Sequence, residues 1–430
     1  MKLPIDSQFL SVATSFVENC ATSFGFKGAE AMALTLATEE LFTYLSHIGH
    51  SNAEMKIICS KGSCFARTDI HFPAGLMDHQ AFNITAKASH ETQDELDKLG
   101  LILAARSVDN FQVAWPDPRN VRLTLIKEKK YPRAEASEPI AVKPLTELFI
   151  RKPEPAETKL FAQLATQLYP GRSVPSFMRY PGKVVDMIAG GDLSAAIAVD
   201  ASGRIGGGIG WRWDTPNTVA FFGPYLFGQP EGLVMGKTLV DELINVLARG
   251  VCVNLISRFA TPETPGHYFQ ELGTIVFPRG EGWSEHAALF MQLKEDPGLK
   301  VWGHPILQEF LISEFDRLSL PREIEYVSDG GEERHKNTVL ATELDRDMKS
   351  AHLRPSIFGL DVESVIRDHL DLFCRENISS TLFELDLGVS EYTSFAPYLM
   401  EAGFVPRLLM PNGGKGDVLL LQRLEGGRAC

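Results

Sequence analysis

Near the start of the chain, two stretches carry apolar residues at helical spacing: Ser7 to Phe24 (Phe9, Val12, Phe16) and Gly28 to His47 (Ala33, Leu36, Ala37, Leu41, Leu45). A period of 3.6 predicts two amphipathic helices. The pattern then alternates in MKIICSKG and FARTDIHF, returns to helical spacing from about Thr92 to Ser107, and alternates again in FQVAW and VRLTLIK. Helices first, then a strand-rich half with a late helix, predict an α/β sandwich. Between Glu128 and Pro144 charges, Ala and Pro mix without any apolar period, which reads as a linker.

From Thr146 onward ELFIRKPEPAETKLFAQLATQLYPGR predicts a strand, a turn at Pro153 and Pro155, and a helix with Leu160, Phe161, Leu164 and Leu168 on one face. A second helix is expected near Lys183 to Ala189, followed by the strands SAAIAVD, IGGGIGWRW and TVAFFGPYLF. The turns ASGR and DTPN join them into an antiparallel meander. Gly206, Gly207 and Gly208 allow a bulge or a close approach in the middle strand, where Trp211 and Trp213 line either a groove or the core. The loop QPEGLVMG then runs into MGKTLVDELINVLARG, whose Leu239, Leu243 and Leu247 form one face and which ends at Gly250. A glycine-bearing turn at a helix start exposes backbone N–H groups at the positive end of the helix dipole, a cradle for a pyrophosphate. The strand VCVNLISRF, a predicted helix over HYFQELG and a last strand complete the segment.

Composition narrows the picture. At about 150 residues per domain, 430 residues predict roughly three domains. With 44% hydrophobic and 23% charged residues the chain is of ordinary globular make-up. It has no apolar run of membrane-spanning length, and its start lacks the form of a signal peptide, so a cytoplasmic protein with no membrane partner is expected. A net charge of −13 without a basic stripe argues against nucleic acid, and Lys127 to Lys130 reads as a solvated linker. The six cysteines form no CxxC pairs, so no metal site is expected and the thiols read as reduced and mostly buried.

Two family resemblances follow from these segments. LATEELFTYLSHIG resembles the helix that opens the nucleotide site of GHKL-type ATPases of the anti-sigma-factor kinase group, and DKLGLILAARSVDNFQV resembles that family's late glycine turn, helix and strand. The resemblance implies Mg-ATP as ligand and Glu40, Gly75 and Gly100 as site positions. Tyr44 stands where the family's metal-holding Asn belongs, four residues after Glu40, and no Asp stands two residues before Gly75.

The middle segment resembles the GNAT N-acyltransferases, in which a strand and two helices precede a three-stranded meander and the fourth strand leads to the acyl-CoA loop. Gln229, Gly232 and Val234 fall on the family's loop pattern, with Leu233 between the last two and Gly236 following, which implies acetyl-CoA or another acyl-CoA as cofactor. The resemblance also implies a backbone N–H near Phe222 or Gly223 that polarises the thioester carbonyl, and a general base among the carboxylates Asp214 and Glu231. The family's thiolate-protonating Tyr, four residues before a Gly, falls on Phe269, which has no proton to give; the adjacent Tyr268 is the candidate left, some 100° away on a helix.

The last third carries a fainter copy. LFELDLGVSEYTSFAPYLMEAGFVPRLLMP aligns with VNLISRFATPETPGHYFQELGTIVFP, which suggests duplication. DVESVIRDHLDLFCREN takes the place of the CoA-loop helix without a QxxG pattern before it. Gly413, Gly414 and Gly416 around Lys415 lack the GxxxxGK spacing and read as a hairpin turn. The chain is therefore expected to be α/β (α+β), with a GHKL-like α/β sandwich over 1–140, a GNAT-like mixed-sheet domain over 141–284 and a degenerate GNAT-like mixed-sheet domain over 285–430. The reading of its function is transfer of an acyl group from acyl-CoA to a small-molecule or protein amine, with the N-terminal domain as a sensor or docking unit. The alternative is a non-catalytic regulatory protein of anti-sigma-factor type, whose ligand-binding folds serve as surfaces for a protein partner.

Overall fold

The computed structural model describes residues 1–48, 53–73, 79–86, 93–117, 120–134, 140–169, 171–230, 232–279, 282–327, 334–346 and 348–424. The chain starts with β1 (Lys2–Pro4), α1 (Leu10–Ser23), α2 (Ala29–Ile48), β2 (Glu54–Lys61), β3 (Phe65–Pro73), α3 (Gln93–Ser107), β4 (Asn110–Asp117) and β5 (Asn120–Glu128). Next come β6 (Phe149–Arg151), α4 (Pro155–Leu168), α5 (Pro181–Gly190), β7 (Ser194–Val199), β8 (Ile205–Trp213), β9 (Thr218–Leu226), α6 (Gly232–Ala248) and β10 (Asn254–Phe259). After these run β11 (Gln270–Arg279), β12 (Gly282–Gln292), β13 (Leu299–Gly303), α7 (Gln308–Arg317), β14 (Arg322–Tyr326), β15 (Val339–Asp345) and β16 (Ser350–Ile357). The last elements are α8 (Val362–Arg375), β17 (Ser380–Asp386), α9 (Ser390–Thr393), α10 (Ala396–Glu401), β18 (Val405–Met410) and β19 (Val418–Leu424). Mixed helices and sheets make this an α/β protein, as its alternating periods require.

The chain divides into two compact units, the first comprising Met1–Lys130, Gly331–Glu343 and Leu353–Arg375. Its N-terminal sheet runs β1-β2-β3-β5-β4, antiparallel throughout. The helices α1 and α2 form as their spacing predicts, but α1 turns a different stripe inward: Ala13, Val17 and Ala21 are buried while Phe9 and Val12 are exposed. Small residues let α1 lie close to α2, and that close approach outweighs the larger transfer energy of the two bulkier side chains. Asn83 joins the later part of this unit to the earlier part, its Nδ2 donating to the Thr338 carbonyl at 2.7 Å and its Oδ1 accepting from Leu340 N at 3.0 Å. On α8 the fully buried His369 lies 2.7 Å by Nδ1 from the Val365 carbonyl, and its Nε2 has no partner among the described residues. Burial pushes its pKa down to about 4, against the weaker opposing pull of Val365 and Asp368.

The second unit comprises Tyr131–Gly330, Leu344–His352 and Glu376–Cys430. Its main sheet has seven strands in the order β11-β12-β10-β9-β8-β7-β6. The β6-β7-β8-β9 run is an antiparallel meander, β9 and β10 are parallel, and β12 and β11 close the sheet antiparallel. A parallel neighbour requires a crossover, and α6 supplies it. Leu239, Val240, Leu243 and Leu247 of α6 pack on Ile209, Trp211, Val219, Phe221 and Leu255, so Trp211 belongs to the core while Trp213 is exposed.

Two expectations need correction. HYFQELG is not a helix: only Gly266–Tyr268 makes a single 3-10 turn, and the chain then enters β11. Pairing with β12 claims the segment instead, with Gln270 opposite Phe290 and Glu271 opposite Leu289. Among the described cysteines Cys20, Cys59, Cys64 and Cys252 carry no disulfide, as expected, but Cys374 is disulfide-bonded.

The expected internal copy is visible in topology. β17 pairs antiparallel with β19, and β19 with β18, which repeats the β10-β12-β11 order in the same chain sequence. The equivalent glycines Gly273 and Gly403 both have positive φ, at 141° and 85°. Here α9 and α10 form the helical connection that the first copy lacks.

A buried ion cluster ties this half together. Arg322 of β14 reaches Asp296 at 2.8 Å and Asp417 at 2.6 Å, with the Arg322 and Asp417 side chains wholly excluded from solvent. Burial alone would raise the Asp296 pKa, but the Arg322 guanidinium outweighs it and holds the carboxyl below its usual range. Arg322→Ala would strand two buried carboxylates and is expected to lower the unfolding free energy by about 3–5 kcal/mol, read from urea denaturation followed by circular dichroism. His369 generates a second expectation. Its unfolded pKa of 6.5 exceeds its folded value of about 4, so the unfolded chain binds the extra proton in that window and stability falls as pH falls through it. His369→Leu is expected to flatten the pH dependence of the melting temperature between about pH 4 and 6.5.

Candidate functional site

The site the loop pattern points to is built where β9 and β10 stop pairing. From the N-terminal end they run in register, Asn254 opposite Thr218, Leu255 opposite Val219 and Ile256 opposite Ala220; the register then slips, and Phe259 opposite Phe222 is the last pair. On its other side β9 also slips against β8, with Gly208 opposite Tyr225 and Gly210 opposite Phe222, which leaves one extra residue in β9 around Gly223 and Pro224. Gly223 takes φ +89°, a conformation that favours glycine. Beyond that last pair β9 and β10 leave a wedge at their C-terminal ends, and α6 starts at Gly232, shortly past the end of β9 at Leu226.

Phe222 is buried, and its ring meets Phe177 edge-on at 5.5 Å, centroid to centroid. The side chain sits over Gly210 of β8, where any Cβ would collide with the ring. Phe222 therefore stands at the last β9–β10 pair and Gly223 just beyond it.

The loop residues are less free than the pattern implies. Gln229 is committed to the backbone: its Oε1 accepts from Leu145 N at 3.0 Å and its Nε2 donates to the Phe227 carbonyl at 2.7 Å. Its amide thus binds the 143–145 segment, expected to be a plain linker, against the start of the loop. Glu231 lies outside the described residues. Gly232 opens α6; the Leu233 side chain likewise lies outside the described residues. Val234 is 62% exposed and does not crowd the wedge. Gly236 faces the Glu263 carbonyl oxygen so closely that a Cβ there would overlap it.

The segment after β10 supplies groups that motif reading missed. Thr261 Oγ1 donates to the Pro224 carbonyl at 2.6 Å, and Thr264 Oγ1 lies 3.4 Å from the Gly223 carbonyl. Tyr169, the residue that caps α4, accepts at Oη from Leu226 N at 2.8 Å and donates to Glu263 Oε1 at 2.9 Å. Burial, opposed by the Leu226 backbone and aided by Glu263, pushes the Tyr169 phenol well above its usual range, so it stays protonated. The only trace of this in the sequence is TPET, a polar run between a buried strand and a proline.

The proposed proton-handling groups are not gathered at the wedge. Tyr268 is on the 3-10 turn and lies against α6, with Lys237 Nζ 5.4 Å from its ring centroid. Burial would raise the Asp241 pKa, but Lys237, 2.7 Å away, and the Tyr268 hydroxyl hold it below the usual carboxylate range. Phe269 stacks on Phe221 at 5.2 Å between centroids and belongs to the core. Asp214 lies in the turn before β9, at the opposite end of the strand from α6, paired to Arg212 at 3.0 Å.

The N-terminal candidates separate differently. Gly100 is inside α3 and not in a turn ahead of it, and a Cβ there would meet Glu40 Oε2 at 2.5 Å. The two residues do come together, but as a close contact between α2 and α3. Burial and the neighbouring Glu39 raise the Glu40 pKa. Tyr44 is buried in the core, and Gly75 lies outside the described residues. Among the described residues no group of three or more His, Cys, Asp or Glu is placed to hold a metal ion, and no helix is long and apolar enough to cross a membrane.

No protein-family model matches the chain, and no curated protein does. Solved structures that resemble it are acetyltransferases. A GNAT-superfamily phosphinothricin acetyltransferase from Sinorhizobium meliloti, in complex with AcCoA, is 16% identical over 35% of this chain and 90% of its own, with a TM-score of 0.29. An aminoglycoside 6'-N-acetyltransferase complexed with coenzyme A is 14% identical over 35% of this chain and 99% of its own, with a TM-score of 0.28. An N-acetyltransferase from Staphylococcus aureus Mu50 is 11% identical over 34% of this chain and 99% of its own, with a TM-score of 0.28.

Gly236→Ala tests the contact between α6 and the 260–264 segment. Because the added methyl meets a backbone carbonyl and not a flexible side-chain end, the variant is expected to lose about 1–3 kcal/mol of stability by calorimetry.

Proposed function

We propose that the chain is an acyl-CoA-dependent N-acyltransferase whose donor site is the wedge between β9 and β10 at the start of α6. One observation carries the reading: a parallel strand pair, joined by a crossover helix, stops pairing after Phe222 and Phe259, and that helix starts at Gly232, shortly past the end of β9. An acyl-pantetheine arm is a narrow chain with amides along it, and such a chain pairs with strand edges. The N-terminal turn of α6, preceded by a glycine-bearing loop, suits the pyrophosphate that follows the arm.

In the reaction the lone pair of a neutral amine attacks the thioester carbonyl carbon, and a tetrahedral oxyanion forms. A backbone N–H of Phe222 or Gly223 donates to that oxygen. The C–S bond then breaks, an amide remains, and the thiolate takes up the proton that the amine gives away. The acceptor is a small-molecule or protein amine.

A second reading, a protein that binds through this fold without turning over, is favoured by Phe269 standing in the core where a proton donor is needed, with Tyr268 turned to Lys237. The two separate in one experiment with the full chain, acetyl-CoA and a panel of primary amines and basic peptides. The first reading expects release of the CoA thiol, detected with a thiol reagent, and a rise in melting temperature of roughly 5 °C or more at a hundredfold excess of acetyl-CoA over its Kd. A rise without thiol release selects the second reading, and no rise at all overturns acyl-CoA binding.

A further inference from the structure

Beyond the last Phe222–Phe259 pair the backbone edge of β9 ought to be open, yet hydroxyls from elsewhere in the chain occupy it residue by residue. The Gly223 and Pro224 carbonyls are met by Thr264 and Thr261 at 3.4 and 2.6 Å. The Leu226 N–H donates to Tyr169 Oη at 2.8 Å, and the Leu226 carbonyl is 3.2 Å from the same oxygen. Glu263 locks the two suppliers to each other by accepting from Tyr169 at 2.9 Å. Thr261 and Thr264 are buried, and Thr264 N donates to the Thr261 carbonyl at 3.0 Å, so the segment is a folded turn. These backbone groups are the ones an inserted amide-bearing arm needs. The Leu226 N–H is a single donor and is already spent on Tyr169, and the Gly223 and Pro224 carbonyls each already meet one hydroxyl.

We propose that Thr261, Thr264 and Tyr169 form a latch that holds the β9–β10 wedge shut, and that an acyl-pantetheine enters only as these hydroxyls leave Gly223, Pro224 and Leu226. This rests on the acyl-CoA reading of the wedge. The latch's partners are all backbone groups or Glu263: Thr261 and Thr264 leave with a displacement of the 260–264 turn and Tyr169, at the end of α4, by a turn of its own side chain, and neither movement breaks the Ile256–Ala220 end of the ladder. Glu263 ties the turn to its neighbours: its Oε1 accepts from Tyr169, its Oε2 is buried with no partner among the described residues, and its backbone carbonyl abuts α6 at Gly236.

The test is calorimetric titration of acetyl-CoA into the full-length protein and into the Thr261→Val/Thr264→Val and Tyr169→Phe variants, which keep side-chain volume and remove the hydroxyls. Removing hydrogen bonds that compete with the ligand is expected to tighten binding about tenfold in each variant. Equal affinity in the wild type and both variants overturns the latch and leaves the acyl-CoA reading standing; no binding in any of the three overturns both. Hydrogen exchange on the wild-type chain avoids dependence on the variants folding. Saturating acetyl-CoA is expected to speed exchange of the 260–264 amides while protecting those of 223–226, and unchanged exchange at 260–264 with ligand bound overturns the latch.

Discussion

The parallel pairing of β9 with β10 is the constraint on which the second unit's architecture depends. Parallel strands cannot be joined by a tight turn, so the chain between them has to leave the sheet and return, and α6 is that path. Its Leu239, Leu243 and Leu247 then cover one face of the sheet, while its first turn is brought to the end of β9. Because the two strands share a direction, their C-terminal ends lie together. Past Phe222 and Phe259 that pairing stops, where β9 is bulged against β8 at Gly223 and Pro224, while the Asn254–Thr218 end stays in register.

The two copies of the strand–connection–hairpin unit show how local sequence adjusts a shared topology. Both build a first strand, then a hairpin whose second strand pairs with the first, and both carry a glycine with positive φ near its start, Gly273 within β11 and Gly403 just ahead of β18. They differ in the connection. In the C-terminal copy SEYTSFAPYLME has one proline, at a helix start where the missing donor does no harm, and folds as α9 and α10. In the first copy Pro262 and Pro265 leave a single turn, and the freed residues Thr261, Glu263 and Thr264 instead reach across to β9.

Polar groups in this fold are buried in two different ways. Arg322 with Asp296 and Asp417 is satisfied on every side, and its charges are fixed by the strands that carry them. The hydroxyls of Tyr169, Thr261 and Thr264 are bound to backbone groups that a ladder would otherwise use, and Glu263 retains a buried oxygen without a partner among the described residues. The first arrangement pairs charge with charge, whereas the second fills backbone groups at a strand end with neutral hydroxyls.

Much of the fold was legible in the residues. Period alone located α1, α2, α3, α4, α6 and the strands of the meander, because each buries one face and has to repeat at its own pitch. The repeated strand-and-hairpin unit was also legible, since it is set by short-range sequence order, whereas Gly232 and Gly236 of the expected loop lie inside α6. Whatever depended on residues meeting across the chain was not. That Gln229 would spend its amide on Leu145 and Phe227, that Gly100 would sit inside a helix against Glu40, and that Phe9 and Val12 would face outward are choices among local options of similar energy. Tyr169 and Thr261 are 92 positions apart in the chain, and nothing in either neighbourhood marks them as partners across one strand end. Sequence by itself therefore determined the elements, their order and the place of the candidate loop. Only the tertiary structure decided which groups fill the wedge, because backbone edge groups accept whichever donor the packing brings within reach.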